Sequence, residues 1–223
     1  MSRGRFITVE GGEGVGKSTQ CNHILELLKS FGIDTILTRE PGGSDGADQI
    51  RQLLVTGAED RWDPLAEALL LFAARRDHLT RTIIPALETG IWVVCDRFCD
   101  STVAYQGYGH GMDRKFLNSL NKRVCGDIEP ELTIILDAPT QLGLSRALKR
   151  GGPEDRYERL MNGFHNRARR GFLEIARAKP SRCTVIDATD EVDAIRTKIS
   201  KIIVSHFSLE RMKTSDQSTL LQY

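Results

Sequence analysis

A glycine-rich segment near the amino terminus, VEGGEGVGKSTQ (residues 9–20), has the residue types and spacing of a phosphate-binding loop. Gly11, four further residues and then Gly16-Lys17-Ser18 fit the G-x4-G-K-S/T pattern of a P-loop. Backbone N–H groups of such a loop surround phosphate oxygens, the lysine bridges the β- and γ-phosphates, and the serine hydroxyl binds Mg²⁺. The residues expected to hold a nucleoside triphosphate are Gly11, Gly12, Glu13, Gly14, Val15, Gly16, Lys17, Ser18 and Thr19.

The context of this segment supports the P-loop over the alternative, a plain glycine-rich turn. An apolar strand precedes it and a helical pattern follows it, as the motif requires. A GTPase would also carry the base-reading sequence Asn-Lys-x-Asp, and NKRV at Asn121 lacks its aspartate. The segment therefore predicts an ATP site with magnesium.

The loop contains no arginine, although a phosphoryl group in transfer needs positive charge beyond the lysine and the metal. The segment LSRALKRGGPEDRYERL (residues 144–160) supplies four arginines around a Gly-Gly-Pro break. Such a break suits a mobile lid, here residues 146–159, that closes and brings Arg150 and Arg156 to the phosphates. The alternative is a solvated helix face with Glu–Arg pairs.

A second charged pair, Asp96-Arg97, stands at the end of the apolar run IWVVCD. An arginine there suits the phosphate of an acceptor molecule, and Asp96 suits either a magnesium-bound water or the orientation of Arg97. A structural ion pair at the end of a strand is the alternative.

Five short apolar runs alternate with helical patterns and predict a parallel sheet with helices on both faces. We expect a single α/β domain over residues 1–207, a three-layer sandwich of the P-loop NTPase type with five parallel strands and a short lid. Ligands of such sheets bind beyond the carboxyl ends of the strands. The predicted strands are RFITVE, DTILT, IWVVCD, LTIILDA and CTVID, and the P-loop, REPGG (residues 39–43) and Asp96-Arg97 follow the first three.

Composition limits the class of protein. Lys plus Arg number 31 and Asp plus Glu 30 in 223 residues, which argues against a dedicated nucleic-acid binder. The five cysteines form no CxxC pair and indicate reduced thiols in a cytoplasmic protein. Neither a signal peptide nor a membrane span is expected, and residues 208–223 predict a disordered tail.

The motifs together resemble the thymidylate kinase family. TREPGG (residues 38–43), DRFCDSTVAYQG (residues 96–107) and the arginine-bearing lid accompany the P-loop, and the resemblance runs from about Phe6 to about Val204. The P-loop alone is shared by many folds, whereas its combination with REPGG and DR-x4-T-x2-Y-Q-G is specific. The resemblance implies transfer of the ATP γ-phosphoryl group to dTMP, giving dTDP and ADP.

Roles in acceptor binding follow from the same resemblance. Phe72 resembles the aromatic residue that stacks on thymine, and Arg76, four residues later on the same helix face, the residue that bonds base O4. Gln106 resembles the group that reads N3, with Thr102 close by, and Tyr105 the ring packed under the sugar. Glu40, Arg51 and Arg97 resemble the residues around the 3′-hydroxyl and 5′-phosphate, with Glu13 near the acceptor phosphate and metal. Without the resemblance, Phe72 in LLLFAARR reads as helix core.

The family divides by the position of its extra arginine, and Glu13-Gly14 in the loop with Arg150 and Arg156 in the lid resembles the bacterial arrangement. Family members are homodimers, so a homodimer is implied, and the apolar ALLLF stretch suits either that interface or an ordinary core. The chain departs from the family at Phe98, where His or Tyr is common, and in the tail beyond Phe207. Rival interpretations are a kinase for another nucleoside monophosphate and a P-loop regulatory ATPase without an acceptor.

Overall fold

The chain folds around a sheet of five parallel strands in the order β2-β3-β1-β4-β5. The computed structural model describes residues 3–210. All five predicted strands are confirmed, and the order of the strands is new information. The strands are β1 Phe6–Gly11, β2 Thr35–Arg39, β3 Trp92–Asp96, β4 Leu132–Asp137 and β5 Cys183–Asp187.

Helices cover both faces of the sheet because both faces of the central strands are apolar. Alternate residues of β1 and β4, such as Ile7 and Ile134, pack with the first and last helices, while Phe6 and Ile135 face the opposite layer. This arrangement is the predicted three-layer sandwich. The helices are α1 Lys17–Ser30, α2 Asp45–Val55, α3 Pro64–His78, α4 Ile84–Glu88, α5 Cys99–Thr102, α6 Arg114–Cys125, α7 Thr140–Arg150, α8 Asn162–Ala178 and α9 Val192–His206.

Two π-helical segments interrupt this pattern. Leu79–Ile83 joins α3 to α4, and Val103–Gly109 continues α5. The wider π-helical turn is rare and often lies at functional sites. The second segment carries Tyr105 and Gln106, both predicted to bind the acceptor.

The strand order brings the predicted chemistry to one edge of the sheet. β1 lies between β3 and β4, and β3 lies next to β2, so the carboxyl ends of β1, β2 and β3 are adjacent. The backbone N–H of Glu40, just after β2, donates to the Asp96 carbonyl at 2.9 Å, and the N–H of Arg97 donates to the Val9 carbonyl at 3.0 Å. The expected convergence of the P-loop, REPGG and Asp96-Arg97 is therefore present.

The segment predicted as a lid consists of the end of α7 and an irregular stretch that leads to α8. Gly151 and Gly152 end α7 with φ angles of 64° and 127°, in the left-handed region that glycine tolerates. Arg146 belongs to α7 and donates to the Ala188 carbonyl at 3.3 Å, so this part of the segment is fixed to the body. Closure of the remainder stays a prediction.

The predicted tail, residues 208–223, lies outside the described residues from 211 onward. Leu209, which we placed in that tail, packs against the core on the α1 and α9 side of the sheet. Within residues 3–210 no helix has the length and apolar character needed to cross a membrane.

Candidate active site

A cavity of about 600 Å³ opens at the carboxyl ends of β1, β2 and β3. Its walls come from the P-loop, α2, α3, the segment after β3 and the lid segment, and its size suits a small-molecule ligand. The predicted site residues that line it are Glu13, Lys17, Ser18, Glu40, Arg51, Asp96, Arg97, Thr102, Tyr105, Gln106 and Arg150.

The P-loop runs from the end of β1 into the first turn of α1. Gly11 ends β1, and Gly16, with φ 93°, precedes the first helical residue. The Lys17 ammonium donates to the Gly12 carbonyl at 2.6 Å, which holds the side chain across the loop. Burial and the nearby Arg97 charge lower the pKa of Lys17, while Glu13 opposes that shift. Val15 is buried in the core and Thr19 is exposed in the first turn of α1.

The packing of Gly14 explains why position 14 of the P-loop carries no arginine. Its φ is 64°, and a Cβ atom added there would lie 1.9 Å from the Gly143 carbonyl oxygen of α7. A Cβ at Gly143 would in turn lie 2.3 Å from the Glu13 carbonyl oxygen. The two backbones are in direct contact, so no side chain fits at either position.

Ser18 and Asp96 form the pair predicted to serve the metal. The Ser18 hydroxyl donates to Asp96 Oδ2 at 2.9 Å at the rim of the cavity. Hydroxyl and carboxylate oxygens are the ligand types that Mg²⁺ prefers. Among residues 3–210 no group of three or more His, Cys, Asp or Glu side chains could hold a metal alone.

Arg97 is held rigidly between the P-loop and α5. Its backbone has φ 73°, a costly left-handed conformation for a residue with a side chain. Its guanidinium donates to the Gly11 carbonyl at 2.8 Å and to Glu13 Oε1 at 2.9 Å, and Tyr105 also donates to Glu13 at 2.8 Å. Burial opposes ionisation of Glu13, but Arg97 and Lys17 outweigh it and lower the pKa of Glu13 to about 2. The guanidinium therefore faces the cavity in one fixed geometry.

Glu40 pairs with a residue that we had not predicted, Arg75. Arg75 Nε lies 2.7 Å from Glu40 Oε2, and the two side chains are only 2% and 5% exposed. Arg75 also donates to Thr102 Oγ1 at 2.9 Å, and His78 Nδ1 lies 3.2 Å from Glu40 Oε1. Burial opposes the charge on Arg75, but Glu40 outweighs it and raises the pKa of the guanidinium.

The α3 side chains that line the cavity are offset by one residue from the pair predicted to bind the base. Leu71 and Arg75 line the cavity, whereas Phe72 packs with Leu117 in the core and Arg76 is exposed and donates to the Val124 carbonyl at 3.1 Å. Both pairs have the spacing of four that places side chains on one helix face. The structure therefore does not bring Phe72 and Arg76 to the cavity, and nothing local in the sequence distinguishes the two pairs.

Gln106 lines the cavity with a buried amide. Its Nε2 donates to Glu67 Oε1 at 2.7 Å, while its Oε1 is buried and has no hydrogen-bond partner. Glu67, on α3, was not predicted. In the sequence, Glu67 is a single glutamate in an otherwise apolar stretch of helix, and that pattern also fits an exposed side chain.

The two arginines predicted for the lid have different positions. Arg150 lines the cavity with 63% of its side chain exposed and donates to Glu158 at 2.6 Å. Arg156 is 1% exposed, lies outside the cavity wall and pairs with Glu67 at 2.6 Å. Its guanidinium is satisfied by this carboxylate and by backbone carbonyls, so the structure does not bring Arg156 to the phosphates.

Arg51, on α2, lines the cavity as predicted. It donates to the Pro41 carbonyl at 2.7 Å and pairs with Glu154 of the lid segment at 2.6 Å.

Comparisons with known proteins point to one family. The family model for thymidylate kinase matches residues 9–199. A thymidylate kinase of Caulobacter vibrioides is 52% identical over 209 residues, covering 94% of this chain and 100% of the relative. One of Magnetococcus marinus is 44% identical over 205 residues, covering 92% and 98%. The crystal structure of thymidylate kinase from Ehrlichia chaffeensis superposes with a TM-score of 0.72 at 34% identity and covers 90% of this chain and 98% of that one.

Proposed function

Because the chain belongs to the thymidylate kinase family, we propose that it transfers the γ-phosphoryl group of ATP to dTMP, giving dTDP and ADP. The observation that carries the proposal is the juxtaposition of two anion sites in one cavity. Lys17 belongs to the P-loop that receives the ATP phosphates, and Arg97 lines the same cavity beside a pocket suited to a base. Glu13, paired with Arg97 and close to Lys17, joins the two sites.

The residues catalyse the transfer by positioning and by charge. A phosphate oxygen of dTMP attacks the γ-phosphorus, and the bond from the γ-phosphorus to the bridging oxygen breaks to release ADP. The attacking oxygen is already an anion, so no strong general base is required. Lys17 stabilises the donor phosphates, Arg97 fixes the acceptor phosphate, and Arg150 is the exposed cation that a closing lid brings to the transferred group. Arg51 and Glu40 line the same cavity, and we assign them to the acceptor.

Magnesium fits the oxygen pair of Ser18 and Asp96. A magnesium ion at protein sites commonly keeps waters and takes substrate phosphates with one or two protein oxygens, which matches a two-residue site. When bound, the ion neutralises charge on the β- and γ-phosphates. We propose that Ser18 binds it directly and that Asp96 holds one of its waters.

The acceptor base is proposed to lie against α3 and the π-helical segment. Leu71 offers an apolar surface, Arg75 a donor for a carbonyl of the base, and Gln106 an acceptor for its N3–H. Tyr105 lies close to Arg97, with the guanidinium 5.0 Å from the centre of its ring. A ring in this place is suited to pack under a deoxyribose and to exclude a ribose hydroxyl.

We further propose that the chain acts in the cytoplasm as a homodimer, without nucleic-acid or membrane partners. Leu65 and Leu69, four residues apart on α3, are 44% and 50% exposed, and Phe116 on α6 is 41% exposed. Exposed apolar side chains on α3 and α6 suit a self-complementary interface. Sedimentation of the wild type against Leu69→Glu tests this: dissociation of a dimer supports it, and a monomeric wild type contradicts it.

The defining experiment is release of ADP from ATP and Mg²⁺ with dTMP, dUMP, UMP, CMP or AMP supplied in turn. We expect strong stimulation by dTMP, and loss of that stimulation in Lys17→Ala because the donor phosphates lose their cation. Equal stimulation by several monophosphates would indicate another acceptor, and no stimulation by any of them would leave a P-loop ATPase as the better description.

A further inference from the structure

Glu67 connects Gln106, on the cavity wall, to Arg156 of the lid segment. It lies on α3 with its carboxylate 1% exposed, and accepts from Gln106 Nε2 at 2.7 Å and from Arg156 at 2.6 Å. His110 Nε2 lies 3.5 Å from Glu67 Oε1, the oxygen that also accepts from Gln106. Three elements distant in sequence therefore meet at one buried carboxylate.

The polarity of this contact dictates how the amide of Gln106 is oriented. An ionised carboxylate can only accept hydrogen bonds, so the amide nitrogen must face Glu67. The amide oxygen then has to point the other way, and in the structure it is buried, without a partner, on a side chain that lines the cavity. A buried acceptor left unpaired is costly, which favours a ligand that donates to it.

Arg156 keeps Glu67 ionised and in place. Its guanidinium is anchored by the backbone carbonyls of Leu54, Ala58 and Glu59 at 3.0–3.1 Å as well as by Glu67. Burial opposes ionisation of Glu67, but contacts with His110 and Arg156 outweigh it and lower the pKa of the carboxyl. A protonated carboxyl could donate, and would allow the amide to turn over. The contacts with His110 and Arg156 oppose that protonation.

We propose that Glu67 is a positioning residue that sets base specificity, by fixing Gln106 with its carbonyl oxygen toward the acceptor. This rests on the proposed function, because it assumes that a pyrimidine lies at Gln106. Thymine and uracil carry a donor at N3, whereas cytosine carries an acceptor there and would face the oxygen of Gln106 without a hydrogen bond. Glu67 thereby rejects cytosine nucleotides without touching them.

The test is Glu67→Gln, which keeps the shape of the side chain but can donate as well as accept. The amide of Gln106 can then turn over and offer its nitrogen to the base. We expect the ratio of kcat/KM for dTMP to that for dCMP to fall about tenfold or more, mainly through a higher KM for dTMP. Glu67→Asp, which remains an acceptor only, is expected to keep most of the preference.

Asp100→Asn is the matched control, since Asp100 is another buried carboxylate paired with an arginine, Arg182, at 2.7 Å. It shares the loss of a buried charge but does not contact Gln106, so the ratio between pyrimidines should not change. An unchanged ratio in Glu67→Gln, or an equal fall in the control, would overturn the proposal. Thermal unfolding of each variant verifies that it is folded.

A second readout does not depend on activity. In protein labelled with ¹⁵N at glutamine side chains, a hydrogen bond to a carboxylate should shift one amide proton of Gln106 downfield, and Glu67→Gln should remove that shift. Its absence in the wild type would overturn the proposed orientation. If the shift is present but dTMP does not stimulate ADP release by the wild type, the proposed function fails and the orientation stands.

Discussion

Replacing Arg75 with methionine tests which face of α3 serves the acceptor, and Arg76→Met on the neighbouring position is its control. Arg75 is buried against Glu40 at 2.7 Å, whereas Arg76 is exposed and bonds a single backbone carbonyl. Removing one partner of a buried ion pair leaves an uncompensated charge and costs roughly 3–5 kcal/mol. Loss of an exposed arginine costs less than about 1 kcal/mol.

Stability and activity must be separated, because Arg75→Met can unfold the protein without any role in binding. The double variant Glu40→Gln, Arg75→Met removes both charges and should recover much of the stability, as replacement of whole buried pairs often does. We expect kcat/KM for dTMP in the double variant to stay about 10- to 100-fold below that of Glu40→Gln alone. This factor corresponds to the loss of one charge-assisted hydrogen bond to the base.

The assays are urea unfolding for stability and coupled ADP release for kcat/KM with dTMP. Arg76→Met should match the wild type in both. Loss of activity in Arg76→Met with an intact Arg75→Met would restore the face that the sequence first indicated. Full activity in the double variant would make Arg75 a purely structural partner of Glu40.

Three further predictions follow from the site. Arg97→Ala should lower kcat/KM for dTMP roughly 100-fold or more with little change in ATP affinity, because it removes the cation proposed to bind the acceptor phosphate. Arg170→Ala, which removes an exposed arginine, is the control. Unchanged turnover in Arg97→Ala would remove Arg97 from the site. Gly14→Ala should reduce ATP binding because the added Cβ meets the backbone of α7. Gly111→Ala is the control, since Gly111 has a similar φ of 77° and a Cβ there would have no neighbour within 4 Å. Equal loss of ATP affinity in the two variants would exclude the clash as the cause. Burial and a neighbouring aspartate raise the pKa of Glu10 from 4.5 to about 8. Between these pH values the folded protein keeps a proton on Glu10 that the unfolded chain has released, so the free energy of unfolding of the wild type should fall with rising pH relative to that of Glu10→Gln. A difference in unfolding free energy that does not change with pH would contradict this.

The features that the sequence predicted correctly depend on local patterns. In the run Phe6–Gly11, Phe6 alternates with Ile7 and Val9, so apolar side chains lie on both faces and indicate a buried strand. Gly16-Lys17-Ser18 specifies the start of α1. The order of the strands depends instead on which helices pack together on each face of the sheet. That information is spread over distant residues, such as Leu28 of α1 and Ile199 of α9 in one core cluster.

Errors in the predicted site arose where a residue type fits two environments equally well. Arg156 has the charge of a lid arginine, and only its burial against Glu67 and three carbonyls identifies it as an anchor. A guanidinium can be buried only when its donors are satisfied. Whether those partners exist is a tertiary fact, so it could not be read from the segment GGPEDRYERL.

The contact between Gly14 and Gly143 links the absence of an arginine in the P-loop to the presence of Arg150. Because α7 lies against the loop at Gly143, no side chain can project from Gly14 into the cavity. Arg150 follows Gly143 by seven residues, two helical turns, and so lies on the same face of α7 about 10 Å further on. The same packing of α7 that leaves no room for a side chain at position 14 therefore positions Arg150 in the cavity wall. An arginine at position 14 would need α7 to move away, and Arg150 on the same helix would move with it.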